Sequence, residues 1–186
     1  MAKTALIVVD VQRDFCEGGA LAAAETRSLM EPLREYIDAA RRNGATIVYT
    51  RDWHPAKHTS FKENGGPWPV HCVADTPGAE LHPPLRAIEG DIVIHKGVGL
   101  DGQGYSGFDS TELAESLRKR EIKRVLVTGI ATEYCVRATA LDALKEGFET
   151  LVVDDLVRSV QPSETEKVLD ELKAAGVEIT TASREV

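Results

Sequence analysis

Residues Thr4–Val9 read TALIVV, an uninterrupted apolar run in which β-branched side chains predominate. A run of this length without polar alternation is typical of a strand that is buried on both faces. Similar runs predict further strands at residues 45–50, 91–95, 124–129, 149–153 and 177–180. Because strands buried on both faces occur in parallel sheets, this pattern favours an α/β fold.

Helical patterns lie between the predicted strands. Apolar spacing and end signals predict helices at residues 27–42, 110–120, 133–146 and 163–176. Asp109 or Ser110 is the expected N-cap of the second helix, and Ser163 begins a capping-box pattern in the fourth. Strands that alternate with helices predict a three-layer, doubly wound, mostly parallel sheet with helices on both faces. Without repeats or linkers, residues 1–186 are expected to form a single domain.

The composition excludes several classes of function. Lys plus Arg total 22 and Asp plus Glu total 30, so the formal net charge is −8, and neither nucleic acid nor a membrane is an expected partner. No apolar run reaches the ~18 residues of a membrane span, and the first residues lack the features of a signal peptide. Cys16, Cys72 and Cys135 form no Cys-x-x-Cys pair, which favours a reducing cytoplasm. The oligomeric state stays open, a homo-oligomer included.

Polar side chains follow the first four predicted strands. In a parallel α/β sheet, ligands bind beyond the carboxyl ends of the strands. The residues found at those ends are Asp10, then Asp52 and His54, then Lys96, and finally the stretch Gly129-Ile130-Ala131-Thr132-Glu133-Tyr134-Cys135. We therefore expect an acid, a lysine, a cysteine and a metal-binding pattern to share one edge of the sheet.

Cys135 lies in the first turn of a predicted helix, with Thr132 as a candidate N-cap. The free amides and positive dipole end favour a thiolate and can stabilise an oxyanion, although a lone cysteine is more commonly a small packed residue. Lys96 follows an apolar strand, and its ammonium would need an acidic partner, for which Asp10 is the natural candidate. Such a pair can be structural, or it can exchange a proton with a neighbouring cysteine.

A long irregular segment from Asp52 to about residue 89 contains four of the five histidines. Loops of this length in compact domains are usually functional. Asp52 and His54 are two apart on an extended segment, so their side chains point the same way, and His58 and His71 follow in the same loop. Three imidazoles and a carboxylate suit Zn²⁺, Fe²⁺ or Mn²⁺, although loop histidines are often merely solvated.

Three aromatic residues, Phe15, Trp68 and Tyr105, fall in loops at the same edge. Loop aromatics can simply cover the core, but three around one site suit a flat ring substrate that stacks on them. The glycine-rich stretch 97–107 lacks the phosphate-binding pattern and is interpreted as a flexible active-site loop.

Taken together, these segments resemble the nicotinamidase/pyrazinamidase branch of the isochorismatase-like cysteine hydrolases. The matching stretches are DVQRDFCEGG at 10–19, Asp52-Trp53-His54 with His58, WPVHCV at 68–73, TPGA at 76–79, Lys96, YSGF at 105–108 and GIATEYCV at 129–136. They occur in the family's order over nearly the whole chain. The resemblance implies one isochorismatase-like hydrolase domain over residues 1–186.

The resemblance also implies the roles of the catalytic residues. Asp10, Lys96 and Cys135 would form a catalytic triad. The Ile130–Ala131 peptide bond would be cis, and the backbone amides of Ala131 and Cys135 would form an oxyanion hole. Asp10 would take the thiol proton and return it to the leaving ammonia, while Lys96 would stabilise the negative charge of the site.

The implied binding residues are the metal ligands Asp52, His54 and His71 and the pocket residues Phe15, Trp68 and Tyr105. The ion would be one divalent metal, Zn²⁺ in first place, with Fe²⁺ or Mn²⁺ as alternatives. His58 matches a histidine that is a ligand in some members, but the segment between His54 and His58 is shorter than in several relatives. Phe15 and Trp68 would sandwich a pyridine ring, with Tyr105 beside it; Tyr134 varies in the family and would set pocket size.

The activity that the resemblance implies is hydrolysis of nicotinamide to nicotinate and ammonia in NAD salvage, through a Cys135 thioester, with pyrazinamide as a second substrate. One alternative is a metal-free cysteine amidohydrolase of the same fold that acts on carbamoyl or ureido compounds; those relatives generally lack the Asp52, His54 and His71 set. An isochorismatase is a further alternative, although many of those lack the cysteine. A non-catalytic ligand-binding module would not need an intact catalytic triad.

Overall fold

The computed structural model describes residues 3–102 and 104–185 of the chain. Within them, six parallel strands form one sheet in the order β3-β2-β1-β4-β5-β6. The strands are β1 (Thr4–Val9), β2 (Thr46–Asp52), β3 (Ile92–Lys96), β4 (Arg124–Ile130), β5 (Glu149–Arg158) and β6 (Glu178–Thr180). The predicted parallel α/β fold is confirmed, and every predicted strand overlaps a strand of the sheet.

Five α-helices are found in the same residues: α1 (Thr26–Arg42), α2 (Leu113–Lys119), α3 (Arg137–Lys145), α4 (Thr165–Ala175) and the short α5 (Ala182–Glu185). A π-helical turn, Thr132–Val136, leads directly into α3. No helix in the described part of the chain is both long and apolar enough to span a bilayer.

The two faces of β1 explain its apolar composition. Leu6 and Val8 pack on one side of the sheet in a cluster with residues of α1, while Ala5, Ile7 and Val9 pack on the other side with α2, α3 and α4. Both sets are fully buried. Because neither face of this central strand meets water, polar alternation would place polar groups in the core.

Two predicted helix starts are wrong. Helix α2 begins at Leu113, and the side chain that accepts its first N–H is Thr111 Oγ1, at 3.3 Å, rather than Asp109 or Ser110. The capping box at Ser163 does not form, and α4 has no side-chain cap. A 3-10 turn, Pro162–Glu164, precedes α4, so Ser163 already lies in helical backbone and is not at the boundary where a cap acts.

The long irregular segment after β2 folds back over the carboxyl ends of the strands. Isolated β-bridges join His54 to Val73 and Phe61 to Trp68 within it. Its backbone also pairs with the loop after β1, where Arg13 N–H donates to the Glu80 carbonyl. These contacts bring His54, His58 and His71 to the sheet edge at which β1, β2, β3 and β4 end.

Candidate active site

Four buried side chains from four strand ends meet at one point. Lys96, the last residue of β3, places its Nζ 2.7 Å from Asp10 Oδ2, 2.5 Å from Asp52 Oδ1 and 3.4 Å from Cys135 Sγ. The same ammonium donates to the Gly104 carbonyl at 2.8 Å. The structure thus brings the predicted triad together. It adds Asp52, which the sequence analysis assigned to the metal alone.

Strand register accounts for this meeting. In the β2–β3 pair Asp52 lies opposite Lys96, and in the β1–β2 pair Val9 lies opposite Thr50. Asp10 follows Val9 directly, and its Oδ1 accepts a 2.7 Å hydrogen bond from Thr50 Oγ1. One oxygen of the Asp10 carboxylate is therefore held by β2 and the other by the lysine of β3.

Charge pairing fixes the ionisation of the buried lysine. Burial alone would lower the pKa of Lys96, but the carboxylates of Asp10 and Asp52 raise that pKa well above its usual range. Burial would likewise raise the pKa of Asp52, yet Lys96 and His54 hold it well below its usual value. The ammonium and the Asp52 carboxylate are therefore both charged, as paired buried ions must be.

Burial favours the protonated form of the Cys135 thiol. Burial raises the pKa of Cys135 well above its usual range, Lys96 opposes the shift, and Asp10 and Asp52 add to it. Burial therefore opposes the thiolate that the helix start favours. The turn that contains Cys135 has no side-chain cap, so the prediction of Thr132 as its N-cap is wrong. Burial also raises the pKa of Asp10. A thiol beside a buried carboxylate of raised pKa is a pair suited to proton transfer.

Asp52, His54 and His71 form a group that could hold a metal ion, with one potential ligand atom from each lying within 4.8 Å of the others. His54 Nδ1–H donates to the Gly97 carbonyl at 2.9 Å, and His71 Nδ1–H donates to the Pro69 carbonyl at 2.7 Å. When the rings are neutral, these bonds place the free lone pair of each on Nε2, 3.3 and 3.9 Å from Asp52 Oδ2. Two oriented imidazoles and a carboxylate fit a divalent metal ion.

His58 lies against this group, and its role as a fourth ligand stays a prediction. Its ring stacks on His54 with 4.2 Å between centroids. Its Nδ1 accepts the backbone N–H of Ser60 at 3.2 Å and lies 2.6 Å from Ser60 Oγ, and its buried Nε2 has no hydrogen-bond partner among the described residues. The unpartnered Nε2 leaves this ring free to contribute a ligand, although His58 lies outside the group of Asp52, His54 and His71 whose ligand atoms converge.

Gly97 fixes the position of His54 in two ways: its carbonyl accepts a hydrogen bond from the imidazole, and its lack of a side chain leaves room for the ring. A Cβ at Gly97 would lie 2.4 Å from His54 Cε1, and the Gly97 φ is +62°. We expect Gly97→Ala to displace the imidazole and weaken zinc binding by ~10-fold or more. Competition with a chromophoric chelator measures this affinity. Gly90→Ala is the matched control, since Gly90 has φ +95° with no atom within 4 Å of its Cβ position. Equal affinities for both variants would contradict the prediction.

A cavity of about 260 Å³ opens onto these groups. The predicted residues Phe15, Trp68 and Tyr105 all line it, together with Tyr134. Trp68 Nε1–H donates to the Tyr105 hydroxyl at 3.2 Å, and the Trp68 and Tyr134 rings meet edge to face at 5.2 Å. Asp52, His54, His71 and Cys135 form its polar wall. The cavity thus combines aromatic rings with a buried thiol and a group that could hold a metal ion.

The remaining wall combines predicted and unpredicted residues. The Ile130–Ala131 peptide bond is cis, and Ala131 lines the cavity next to Cys135. Leu21 and Val160 also line it, from the loops after β1 and β5. Sequence reasoning missed both, because a single aliphatic residue in a loop carries no signal of what it faces.

A family model for the isochorismatase domain matches residues 4–184 of this chain. The match covers the whole sheet and every group of the candidate site. The chain belongs to the isochorismatase domain family.

Within that family, the chain is similar to nicotinamidases. It is 40% identical to the nicotinamidase/pyrazinamidase of Mycobacterium tuberculosis, over 96% of this chain and 99% of that protein. It is 37% identical to the nicotinamidase of Escherichia coli, over 97% and 96%. The crystal structure of the pyrazinamidase of Pyrococcus horikoshii in complex with zinc matches it with a TM-score of 0.93 and 50% identity, over 96% and 99%.

Proposed function

We propose that this chain is a nicotinamidase, which hydrolyses nicotinamide to nicotinate and ammonia and also accepts pyrazinamide. The observation that carries the proposal is the buried group of Asp10, Lys96 and Cys135, of which Cys135 lines an aromatic cavity. Aromatic walls suit a flat pyridine ring, and the thiol suits attack on its carboxamide. The similarity to nicotinamidases supports the same activity. The product nicotinate places the chain in NAD salvage.

The reaction passes two protons through Asp10, one from the Cys135 thiol and one from water. Asp10 takes the proton of the Cys135 thiol, and Sγ attacks the carboxamide carbon. The backbone amides of Ala131 and Cys135 stabilise the resulting oxyanion. Asp10 then donates the proton to the departing amine, which leaves as ammonia, and a thioester remains. Asp10 next takes a proton from a water that attacks this thioester and returns it to Sγ as the C–S bond breaks. Nicotinic acid, which ionises to nicotinate, leaves, and the Cys135 thiol is restored. Lys96 offsets the negative charge of the site throughout.

Asp52, His54 and His71 are the residues that would hold one divalent metal ion, with Zn²⁺ in first place and Fe²⁺ or Mn²⁺ as alternatives. The converging Nε2 atoms and the zinc complex of the Pyrococcus horikoshii pyrazinamidase support this assignment. When bound, the ion supplies positive charge that attracts and orients the ring nitrogen of the substrate. Phe15, Trp68 and Tyr105 then hold the faces and edge of the ring.

The alternative functions fit the site less well. A metal-free amidohydrolase would not need two buried imidazoles whose Nε2 atoms face a carboxylate. A non-catalytic module would not need a fully buried lysine between two carboxylates beside a thiol, because such burial is costly without a use. The substrate is a small molecule. The free state of Cys16, Cys72 and Cys135 supports a reducing, cytoplasmic location.

Ammonia release from nicotinamide tests the proposal directly. We expect the purified, zinc-loaded protein to release ammonia, a chelator to lower the rate by ~10-fold or more, and added zinc to restore it. Metal analysis of each sample checks that the chelator has removed the ion. Full activity in a sample shown to be metal-free would overturn the metal assignment. Absence of ammonia release by the zinc-loaded protein would overturn the nicotinamidase proposal.

A further inference from the structure

Gln12 is a fully buried polar side chain that the proposed reaction does not use. It stands two residues after Asp10, in the loop that follows β1. Its Nε2 donates to the carbonyl oxygens of Asp52, at 2.8 Å, and Ala79, at 2.9 Å. Its Oε1 accepts the backbone N–H of Asp52 at 2.8 Å. Both N–H groups of the amide and one lone pair of its oxygen therefore form hydrogen bonds to backbone groups.

The two hydrogen bonds between Gln12 and the Asp52 backbone take the place of the pairing that β1 would make if it extended further along β2. Strand β1 pairs with β2 up to Val9 and Thr50, and Asp10 then leaves the strand with a φ of +48°. Asp52 therefore has no β1 residue opposite it, although its N–H and C=O still point to that side of β2. The Gln12 amide presents one donor and one acceptor there, as a peptide group of a neighbouring parallel strand would.

The position of Asp52 matters because its carboxylate serves two groups. Its Oδ1 lies 2.5 Å from Lys96 Nζ, and its Oδ2 faces His54 Nε2 at 3.3 Å and His71 Nε2 at 3.9 Å. A shift of this backbone would change the distances to the lysine and to the imidazoles together. Metal affinity and the position of Lys96 consequently depend on the contacts that fix the backbone of Asp52, the last residue of β2.

We propose that Gln12 is a positioning residue for Asp52, and through it for both the metal-binding group and the catalytic lysine. The inference rests on the proposed function for its activity readout, whereas its zinc readout is independent of turnover. A side chain that held only the loop would bond to Ala79 alone. Gln12 instead directs two of its three hydrogen bonds to the one residue that links both groups.

Two substitutions test the inference. Gln12→Leu removes all three hydrogen bonds at similar volume, and Gln12→Glu keeps the acceptor but sets a carboxylate oxygen against two carbonyls. We expect zinc affinity, measured by chelator competition, to fall ~10- to 100-fold in both. We also expect kcat to fall ~10-fold or more at saturating zinc. Thr150→Val is the matched control, since its buried hydroxyl donates to the Phe148 carbonyl at the opposite end of the sheet.

The outcomes separate this inference from the proposed function. Zinc affinity and kcat that fall in the Gln12 variants, with the control unchanged, would support a positioning role. Folded variants with wild-type affinity and kcat and only a lower Tm would overturn it, as would failure of both variants to fold in excess zinc. A wild-type protein that binds zinc but releases no ammonia would overturn the nicotinamidase proposal and leave the zinc comparison valid. A wild-type protein that binds no zinc would overturn both the metal assignment and this inference.

Discussion

Cys135→Ala is expected to lower ammonia release from nicotinamide by ~10⁴-fold or more, because the variant lacks the atom that attacks the carboxamide. The residue is buried at the cavity floor, so truncation to alanine leaves a small void and no unpaired charge. Sγ is also not part of the group to which we assign the metal ion, which consists of Asp52, His54 and His71. The variant should therefore fold and bind zinc with wild-type affinity, as chelator competition would report.

Cys16→Ala is the matched control for this prediction. Cys16 is a buried thiol like Cys135, but it packs in the core cluster on the α1 side of the sheet and does not line the cavity, so it has no access to substrate. We expect this variant to keep activity close to that of the wild type. A Cys135→Ala variant that still turned over nicotinamide at a substantial rate would exclude the thioester route. An equal loss in both variants would point to a packing effect.

Lys96→Met is expected to lower the free energy of unfolding by about 3–5 kcal/mol, because it leaves the buried carboxylates of Asp10 and Asp52 without their shared cation. Both carboxylates lie within 2.7 Å of the ammonium. The rate of ammonia release should fall by ~10²-fold or more, since the charge that balances the reacting group is lost. Urea unfolding of the metal-free protein measures the first effect without a contribution from bound zinc.

Two further variants define the origin of that loss. Lys145→Met removes an exposed lysine paired with Asp142 on α3, and it should change stability by less than about 0.5 kcal/mol. Asp10→Asn combined with Lys96→Met removes one of the facing carboxylates and should recover part of the lost stability. If Lys96→Met were as stable as Lys145→Met, the charge pairing described for this site would be wrong.

The sheet was largely predictable because its strands are apolar runs separated by helical patterns. Strand β1 begins and ends where the sequence predicts, at Thr4 and Val9. Strand β5 continues to Arg158, five residues beyond its predicted end. Asp154 and Asp155 interrupt the apolar pattern there, although Leu156 and Val157 beyond them are buried. The sequence pattern therefore missed the second half of β5, because two polar residues interrupt it and the strand continues there by pairing with β4.

The edge of the sheet that carries the site also follows from sequence, because the rule for parallel sheets places reactive residues at strand ends. The contact between Lys96 and Asp52 did not follow, since it depends on the register of β2 against β3. The role inferred for Gln12 had no local signal either. Its partners are backbone groups, and any residue in their place would present the same N–H and C=O.

The distribution of the site over the sheet has a consequence for how the chain acquires activity. Asp10, Asp52, Lys96 and Cys135 stand at the ends of four different strands, in the spatial order β3-β2-β1-β4. Parallel strand pairs join segments that are far apart in sequence. They form slowly, because the entropy of loop closure is lost before the stabilising contacts between the strands can form. A folding intermediate with only β1 and β2 paired would hold two carboxylates but neither lysine nor nucleophile. Recovery of activity during refolding therefore measures completion of the four central strands. A measurement of helix content would not detect that step.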